Sequence, residues 1–446
     1  MRFFYGIKII FNKAFFTILS AWKTITYEKK VNIIIVSLKK KGRGSLTAIV
    51  QKYGGSSLAS VEKIKSVAKR VINEKEKGND VVVVVSAMGK TTDYLVNLSK
   101  EISHNTNKRD MDVLLSTGEQ ISIALLSMAI NDLGYDAISF TGFQAGIKTD
   151  GVHTKNKIVD IEIEKIKEYL EEGKIVVVAG FQGINNKGDI TTLGRGGSDT
   201  TAVAIAAKLG CECNIYTDVD GIYSVDPRVY FRAKKLKNIS YQEMIAMSSL
   251  GAGVMETRAV EIGYKYNVPI YVASSSEYIP GTYIKEYEKE MEEQVIKGIA
   301  IDDNIYMITI GKVLLNSNNI ARIIEKLGEE NVNIDMISQS SPQNGYVSLS
   351  FTVCKDDLNS VCKVIDEIKL EIEEMIIDIK SNLSKVSVVG LGMMNQSDMI
   401  GKMFRVLSNN NIEFKQFTTS EISVSYTLDD KDKEVAVAAL AREFNL

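Results

Sequence analysis

Lysine and arginine placed beside glycine turns are the features of this sequence most suited to chemistry. Gln51-Lys52-Tyr53-Gly54-Gly55-Ser56-Ser57 lies between an apolar run and a stretch of helical periodicity. Two adjacent glycines let a backbone approach a ligand closely, and amides at a helix N-terminus favour phosphate. Lys52 adds a positive charge and Ser56 a hydroxyl; the alternative for such a pair is a simple tight turn. A second turn, Thr191-Thr192-Leu193-Gly194-Arg195-Gly196-Gly197-Ser198-Asp199-Thr200-Thr201-Ala202, has three glycines before a predicted helix, and Arg195 can grip a carboxylate with two hydrogen bonds. Asp199 either complements the helix dipole or orients an amino group or a lysine. Glu119, in Ser116-Thr117-Gly118-Glu119-Gln120, sits in an otherwise apolar helix, where a buried carboxylate needs a partner. That partner is a substrate ammonium or a structural Lys or Arg.

Weaker signals surround these. Ser86 and Thr92 follow the run Val81–Val85, and ligands sit at the carboxyl ends of strands in open α/β sheets. Gly89-Lys90-Thr91-Thr92 imitates the end of a P-loop, but Val84 stands where that motif needs glycine. The acidic loop Thr217-Asp218-Val219-Asp220-Gly221-Ile222-Tyr223-Ser224-Val225-Asp226-Pro227-Arg228 carries an aromatic ring, a proline that fixes its path and an arginine, a set able to hold a nucleotide. Gly390-Leu391-Gly392-Met393-Met394-Asn395 lacks the third glycine of a dinucleotide fingerprint. His104 and His153 lie in polar loops and are expected on the surface. Cys211 and Cys213 have C-x-C spacing, and with only two histidines no metal site is expected.

The elements that must position these residues alternate. Strands are expected at Ala48–Lys52, Val81–Val85, Ala137–Phe140, Ile175–Ala179, Cys213–Tyr216 and Ile270–Ala273, with helices at Ser57–Glu76, Met111–Leu133, Asp160–Glu171, Ser198–Leu209 and Thr257–Tyr266. Continuous apolar strands between helices predict a three-layer αβα domain with a mainly parallel sheet over residues 45–294. After a solvated linker helix, Lys285–Gln294, a βαββαβ pattern occurs twice, predicting two α+β, ferredoxin-like modules at 295–380 and 381–446. The first comprises strands Ile305–Ile310, Val332–Ile337 and Gly345–Val353 with helices Asn318–Leu327 and Asp357–Ile368. In the second, strands Lys385–Val389, Ile412–Phe417 and Ile422–Thr427 accompany helices Ile400–Leu407 and Lys433–Phe444.

The 446 residues, 45% hydrophobic, suffice for such domains. A formal net charge of −2 argues against a nucleic-acid partner. Cysteine usage suits a reduced, cytoplasmic protein. Met1–Gly44 holds ten Lys or Arg against one acid, Glu28, and its apolar runs are too short for a transmembrane segment of about 20 residues. An appended segment without function, membrane-surface association and organelle targeting remain open for it.

Taken together, Lys52 to Ser57, Ser116 to Glu119, Thr192 to Ala202, Thr217 to Arg228 and the C-terminal repeat resemble the aspartokinase family over Thr47 to Leu446. The resemblance implies an amino-acid-kinase fold followed by tandem ACT domains, the second interrupted by the first, so that Ile296–Ile301 supplies a strand to it. It implies an ATP-dependent kinase that uses Mg²⁺ and phosphorylates the side-chain carboxylate of L-aspartate. Lys52 and Asp199 would be catalytic, with Gly54, Gly55 and Ser56 on the phosphates. Thr217, Asp218, Tyr223, Asp226, Pro227 and Arg228 would bind ATP. Glu119 would take the aspartate ammonium and Arg195 the α-carboxylate, with Ser86, Thr92, Ser198 and Asp199 completing the site. Lysine, threonine or both would act as allosteric effectors near Asn316, Asn318, Gln339, Thr419 and Glu421, in a homodimer or higher oligomer assembled through the ACT modules.

The sequence departs from the family pattern at Gly253, where some relatives carry a phosphate-directed lysine, and in Met255-Glu256-Thr257-Arg258. It departs again at Leu315-Asn316-Ser317-Asn318 and Asp398-Met399, which replace Pro-Gly loops; Asn318 is expected to preserve the turn in a left-handed conformation. Acetylglutamate, glutamate 5- or UMP kinase activity is the competing enzymatic reading. A non-catalytic amino-acid-binding regulator is the competing reading of another class.

Overall fold

The computed structural model describes residues 47–103, 105–286, 295–370, 374–393 and 397–446. The N-terminal segment, His104 and most of the expected linker helix, 287–294, lie outside the described residues.

In chain order the first part contains β1 (Ala48–Tyr53), α1 (Val61–Glu76), β2 (Asp80–Val85), α2 (Thr91–Ile102), α3 (Lys108–Asp132), β3 (Ala137–Phe140), β4 (Ile147–Asp150), β5 (Lys157–Ile161), α4 (Glu164–Glu171) and β6 (Ile175–Ala179). It continues with β7 (Gln182–Ile184), β8 (Ile190–Thr192), α5 (Gly197–Leu209), β9 (Glu212–Thr217), β10 (Asn238–Ile239), α6 (Tyr241–Ser249), α7 (Thr257–Tyr266), β11 (Ile270–Ser274) and β12 (Thr282–Ile284). Among the described residues an eight-stranded sheet has the order β10-β12-β11-β9-β1-β2-β6-β3. From β11 to β3 every pairing is parallel.

The valine run of β2 explains the three layers. Successive side chains of a strand face opposite ways; Val81, Val83 and Val85 join Val67 and Val71 of α1 and Ile123, Leu126 and Ile130 of α3 in one core. Val82 and Val84 face the other core, with Ala202, Val203 and Ile205 of α5 and Val260 of α7. Helix α3 is long and apolar enough to cross a membrane by composition alone, but its apolar face fills this core.

Local chemistry revises several boundaries. The helix expected from Ser57 divides into a short turn, Gly55–Leu58, and α1, because the Ser60 side chain accepts the Lys63 amide and starts a new helix. The helix expected over Asp160–Glu171 begins only at Glu164; Lys157–Ile161 instead forms β5, in a four-stranded sheet of order β5-β4-β7-β8 that the sequence analysis did not anticipate. Helices α2 and α6 were also not anticipated. Gly210 adopts the left-handed conformation that ends α5.

The second part contains β13 (Gly298–Leu314), α8 (Ser317–Glu329), β14 (Ile337–Gln339), β15 (Tyr346–Cys354), α9 (Leu358–Lys369), β16 (Ile376–Val389), α10 (Ser397–Asn409), β17 (Phe414–Thr419), β18 (Ser423–Asp429) and α11 (Lys433–Glu443). One six-stranded sheet, β14-β15-β13-β16-β18-β17, joins them. Its two long central strands belong to both repeats: Gly298–Asp302 pairs with Val389–Lys385, and beyond a register break Ile305–Gly311 pairs with Leu383–Ile376. The strand donated to the second repeat is therefore present, as the first half of a longer one. Each repeat keeps its own core. The strand expected over Val332–Ile337 shrinks to Ile337–Gln339, because Asp335 turns to pair with the buried Lys385.

The two parts are also joined. The Ile299 amide donates to the Ser224 carbonyl at 2.7 Å, and Val225 and Tyr230 are buried in the core of the second repeat.

Candidate active site

Strand β1 lies between β9 and β2, with Lys52 next to its carboxyl end. There Lys52 Nζ sits 2.6 Å from Asp199 Oδ1, the two side chains being 10% and 13% exposed. Asp199 stands in the first turn of α5, which is reached through the left-handed residues Gly194 and Gly196. The ion pair thus draws both glycine turns to one place. Breaking so enclosed a pair from one side costs about 3–5 kcal/mol, since the other charge stays buried.

The first turn is tied to the loop after β2. Gly89 N–H donates to Gly55 O at 2.9 Å and Ser86 N–H to Tyr53 O at 3.1 Å. A Cβ on Gly55 would lie 2.7 Å from Ala87 O, so glycine is required there, whereas one on Gly54 would stand at ordinary contact, 3.6 Å from Lys52 Nζ. One expectation needs correcting: the Gly54 amide is taken by Tyr216 O of β9 at 3.3 Å. The amides of Gly55 and Ser56, at the start of the Gly55–Leu58 turn, are the ones that can meet a phosphate.

Glu119 reaches the same loop from α3. Its Oε1 accepts the Ala87 amide at 3.0 Å, and its Oε2 is buried without a hydrogen-bond partner. Burial pushes its carboxyl up to about 7. Gly118 makes the approach possible, since a Cβ there would come within 2.8 Å of the Ala87 methyl. An unpartnered oxygen on the carboxylate that holds the Ala87 loop suits a cationic ligand group. Thr92 lies half-buried in the first turn of α2, while Ser198 is buried against Gly180.

Arg195 is exposed at the rim. Glu256, which the sequence analysis noted only as a departure, packs against Gly196, where a Cβ would fall 2.4 Å from its own Cβ. Burial raises the Glu256 carboxyl, Arg258 and Arg195 lower it, and Asp199 raises it. Arg258 donates to the carbonyls of Leu193 and Asn156 and so clamps the loop that carries Arg195. Position 253 faces open space, with room for a side chain.

The acidic loop continues from β9 on the other flank. Thr217 Oγ1 donates to Asp218 Oδ1 at 3.0 Å, and Tyr223 OH to Asp220 Oδ1 at 3.0 Å. Lys235, a cation missed from sequence, pairs with Asp220 at 3.0 Å. Asp226 and Arg228 form a two-point pair, Nε to Oδ1 at 3.0 Å and Nη2 to Oδ2 at 2.7 Å, which holds the Asp226 carboxyl below its usual range. Pro227 is exposed beside them. The structure therefore brings Lys52, Gly54–Ser56, Ser86, Glu119, Ser198 and Asp199 together. It places Thr217 and Asp218 next to them, through the pairing of β9 with β1, and holds Tyr223 to Arg228 as a separately bonded segment.

Another expectation is revised at His153. It is half-buried, with Nδ1 2.5 Å from Oδ2 of the fully buried Asp112. No motif signalled this pair. In the second part, Asn316 caps α8 by accepting the Asn318 amide at 3.0 Å, so Asn318 is helical and not left-handed as expected. Gln339, Thr419 and Glu421 are exposed at or just beyond strand ends.

Residues 47–274 match the amino acid kinase family, and residues 304–368 and 386–444 match an ACT domain. An aspartokinase of Bacillus sp. (strain MGA3) is 49% identical over 399 residues, 89% of this chain and 97% of that protein. Among solved structures, E. coli aspartokinase III in complex with aspartate and ADP is similar with a TM-score of 0.76 at 22% identity, over 90% of this chain and 100% of that one. The same enzyme in complex with lysine and aspartate gives 0.70 at 23% identity, over 89% and 99%.

Proposed function

The chain belongs to the aspartokinase family, and from that premise we propose that ATP and L-aspartate meet over the Lys52–Asp199 pair. The reaction is that of an aspartate kinase. A β-carboxylate oxygen of aspartate bonds to the γ-phosphorus of ATP, the bond to the β,γ-bridging oxygen breaks, and 4-phospho-L-aspartate and ADP result. This is the first step towards lysine, threonine and methionine.

No general base is needed, because the attacking carboxylate is already an anion at neutral pH. The work is to bring two anions together in line and to neutralise the charge that develops. Lys52 supplies the fixed cation for the transferring group, and Asp199 holds Lys52 in place. Gly55 and Ser56 amides bind phosphate oxygens. Glu119 Oε2 takes the substrate ammonium and Arg195 the α-carboxylate, with Ser86, Thr92 and Ser198 as further donors. Thr217, Asp218, Tyr223, Asp226, Pro227 and Arg228 line the nucleotide side, joined by Lys235.

Among the described residues no three carboxylate, histidine or cysteine side chains stand close enough to hold a metal alone. That suits Mg²⁺ carried by the triphosphate, where it would screen the phosphate charge. The ACT modules support feedback inhibition; we assign it to lysine, threonine or both, in a cytoplasmic homodimer or higher oligomer joined through these modules.

The observation that carries the site assignment is the ion pair joining the two glycine turns, with Glu119, one oxygen unpartnered, holding the Ala87 loop that packs against Gly55. Purified protein with MgATP and candidate amino acids, scored for ADP and for the hydroxamate of an acyl phosphate, tests the reading. Turnover with aspartate and not with glutamate, acetylglutamate or UMP is expected; turnover with one of those instead would overturn it.

A further inference from the structure

The Asp112–His153 pair has no part in the chemistry above, yet it stands behind it. Asp112 is fully buried on α3, seven residues before Glu119. Seven residues are about two turns, so both carboxylates project from one face of one rod about 10 Å apart. Glu119 reaches the Ala87 loop. Asp112 reaches the other side, where its carboxylate accepts three donors: His153 Nδ1–H at 2.5 Å, the Thr154 amide at 3.0 Å and the Thr192 hydroxyl.

Each donor lies next to the Arg195 loop. Thr192 ends β8, three residues before Arg195. Thr154 has φ 72°, a left-handed conformation unfavourable for a β-branched residue, and its carbonyl packs against Gly194, where a Cβ would lie 3.1 Å away. The Asn156 amide donates to Thr192 O at 3.0 Å, which closes the frame. A buried carboxylate with three donors, holding a strained residue under a substrate loop, is more than ordinary core packing requires.

We propose that Asp112, secured by His153, is a positioning residue for aspartate binding: it sets the Arg195 loop at a fixed place relative to Glu119 through the helix they share. The inference rests on the assignment of Arg195 and Glu119 to the two α-substituents of aspartate. Lys52 and the nucleotide side lie outside the frame, so aspartate affinity should change without the chemical step.

Steady-state kinetics of the full chain test this, with aspartate and MgATP varied separately. His153→Ala should raise the aspartate KM about 10-fold, with kcat and the ATP KM within about twofold. His153→Asn, which keeps an N–H donor near the Nδ1 position, should recover most of that loss. Placed on Arg195→Ala, His153→Ala should change the aspartate KM less than about twofold further, because nothing is left to position. Asp112→Asn and Thr192→Val should show the same KM-only effect, and either serves if another variant melts early. Equal losses in kcat and ATP KM, no rescue by asparagine, or full additivity with Arg195→Ala would each overturn the positioning role. An Arg195→Ala enzyme with an unchanged aspartate KM would instead overturn the assignment of Arg195 and the inference with it.

Discussion

Replacing Glu119 by glutamine should move stability and substrate binding in opposite directions. One Glu119 oxygen accepts the Ala87 amide and the other is buried without a partner, so burial lifts the carboxyl from 4.5 to about 7. About 2.5 pH units at roughly 1.4 kcal/mol each correspond to a cost of about 3.5 kcal/mol. The sign follows from proton binding: a carboxyl with a raised folded pKa holds its proton more tightly in the folded chain. The cost is therefore absent below the unfolded value, grows as pH rises through the window from 4.5 to about 7, and is complete above it. Glutamine has no charge to desolvate.

Urea denaturation of the ligand-free proteins, followed by circular dichroism, should find Glu119→Gln more stable than the parent by about 1–3 kcal/mol at pH 8. At pH 5 the gain should be under about 1 kcal/mol. Aspartate loses its ionic partner, worth about 2–4 kcal/mol, and its KM should rise roughly 30- to 1,000-fold. A variant equally destabilised at both pH values would mean that Glu119 already has a counter-charge. A variant with an unchanged aspartate KM would mean that its free oxygen faces something other than the substrate.

The parent enzyme should show the same group in its pH profile: below pH 7 a proton competes with the ammonium for Glu119, and the aspartate KM should climb about tenfold per pH unit while the ATP KM stays level. Lys52→Ala should lower kcat about 10²- to 10³-fold with both KM values nearly unchanged; a raised KM with normal kcat would remove Lys52 from the transition state. Gly55→Ala forces a methyl against the Ala87 and Gly89 carbonyls, and thermal melting should report a loss of about 1–3 kcal/mol together with inactivity; full activity would show that the cradle is not needed. Lysine, threonine or both should inhibit turnover at millimolar concentration, and failure of each alone and of the two together would reject regulation through the ACT modules.

The core strands were legible because burial on both faces leaves continuous runs of β-branched residues, as in Val81–Val85. The glycine turns were legible because close approach leaves no substitute for glycine at positions such as Gly55 and Gly197. Short strands such as Lys157–Ile161 were not, since a few alternating residues next to a helix blend into its periodicity. Nor was the frame around Arg195: Asp112, His153, Glu256 and Arg258 come from α3, a loop and the start of α7, and only folding brings them to one place. The Gly54 amide shows a subtler limit. Its sequence context fits a phosphate cradle, but whether an amide is free depends on the neighbouring strand, and here Tyr216 takes it.

The segment after β9 is held from two sides. Tyr223 and Lys235 bond to Asp220 on the flank proposed for the nucleotide, whereas Val225 and Tyr230, only a few residues away, are interior to the second repeat. Such a stretch cannot settle its conformation with one neighbour alone, so tightness at one end is felt at the other as a change in free energy. Any amino acid that weakens ATP by way of this segment must in turn be weakened by ATP, and by the same factor. Calorimetric titrations run in both orders would expose that symmetry.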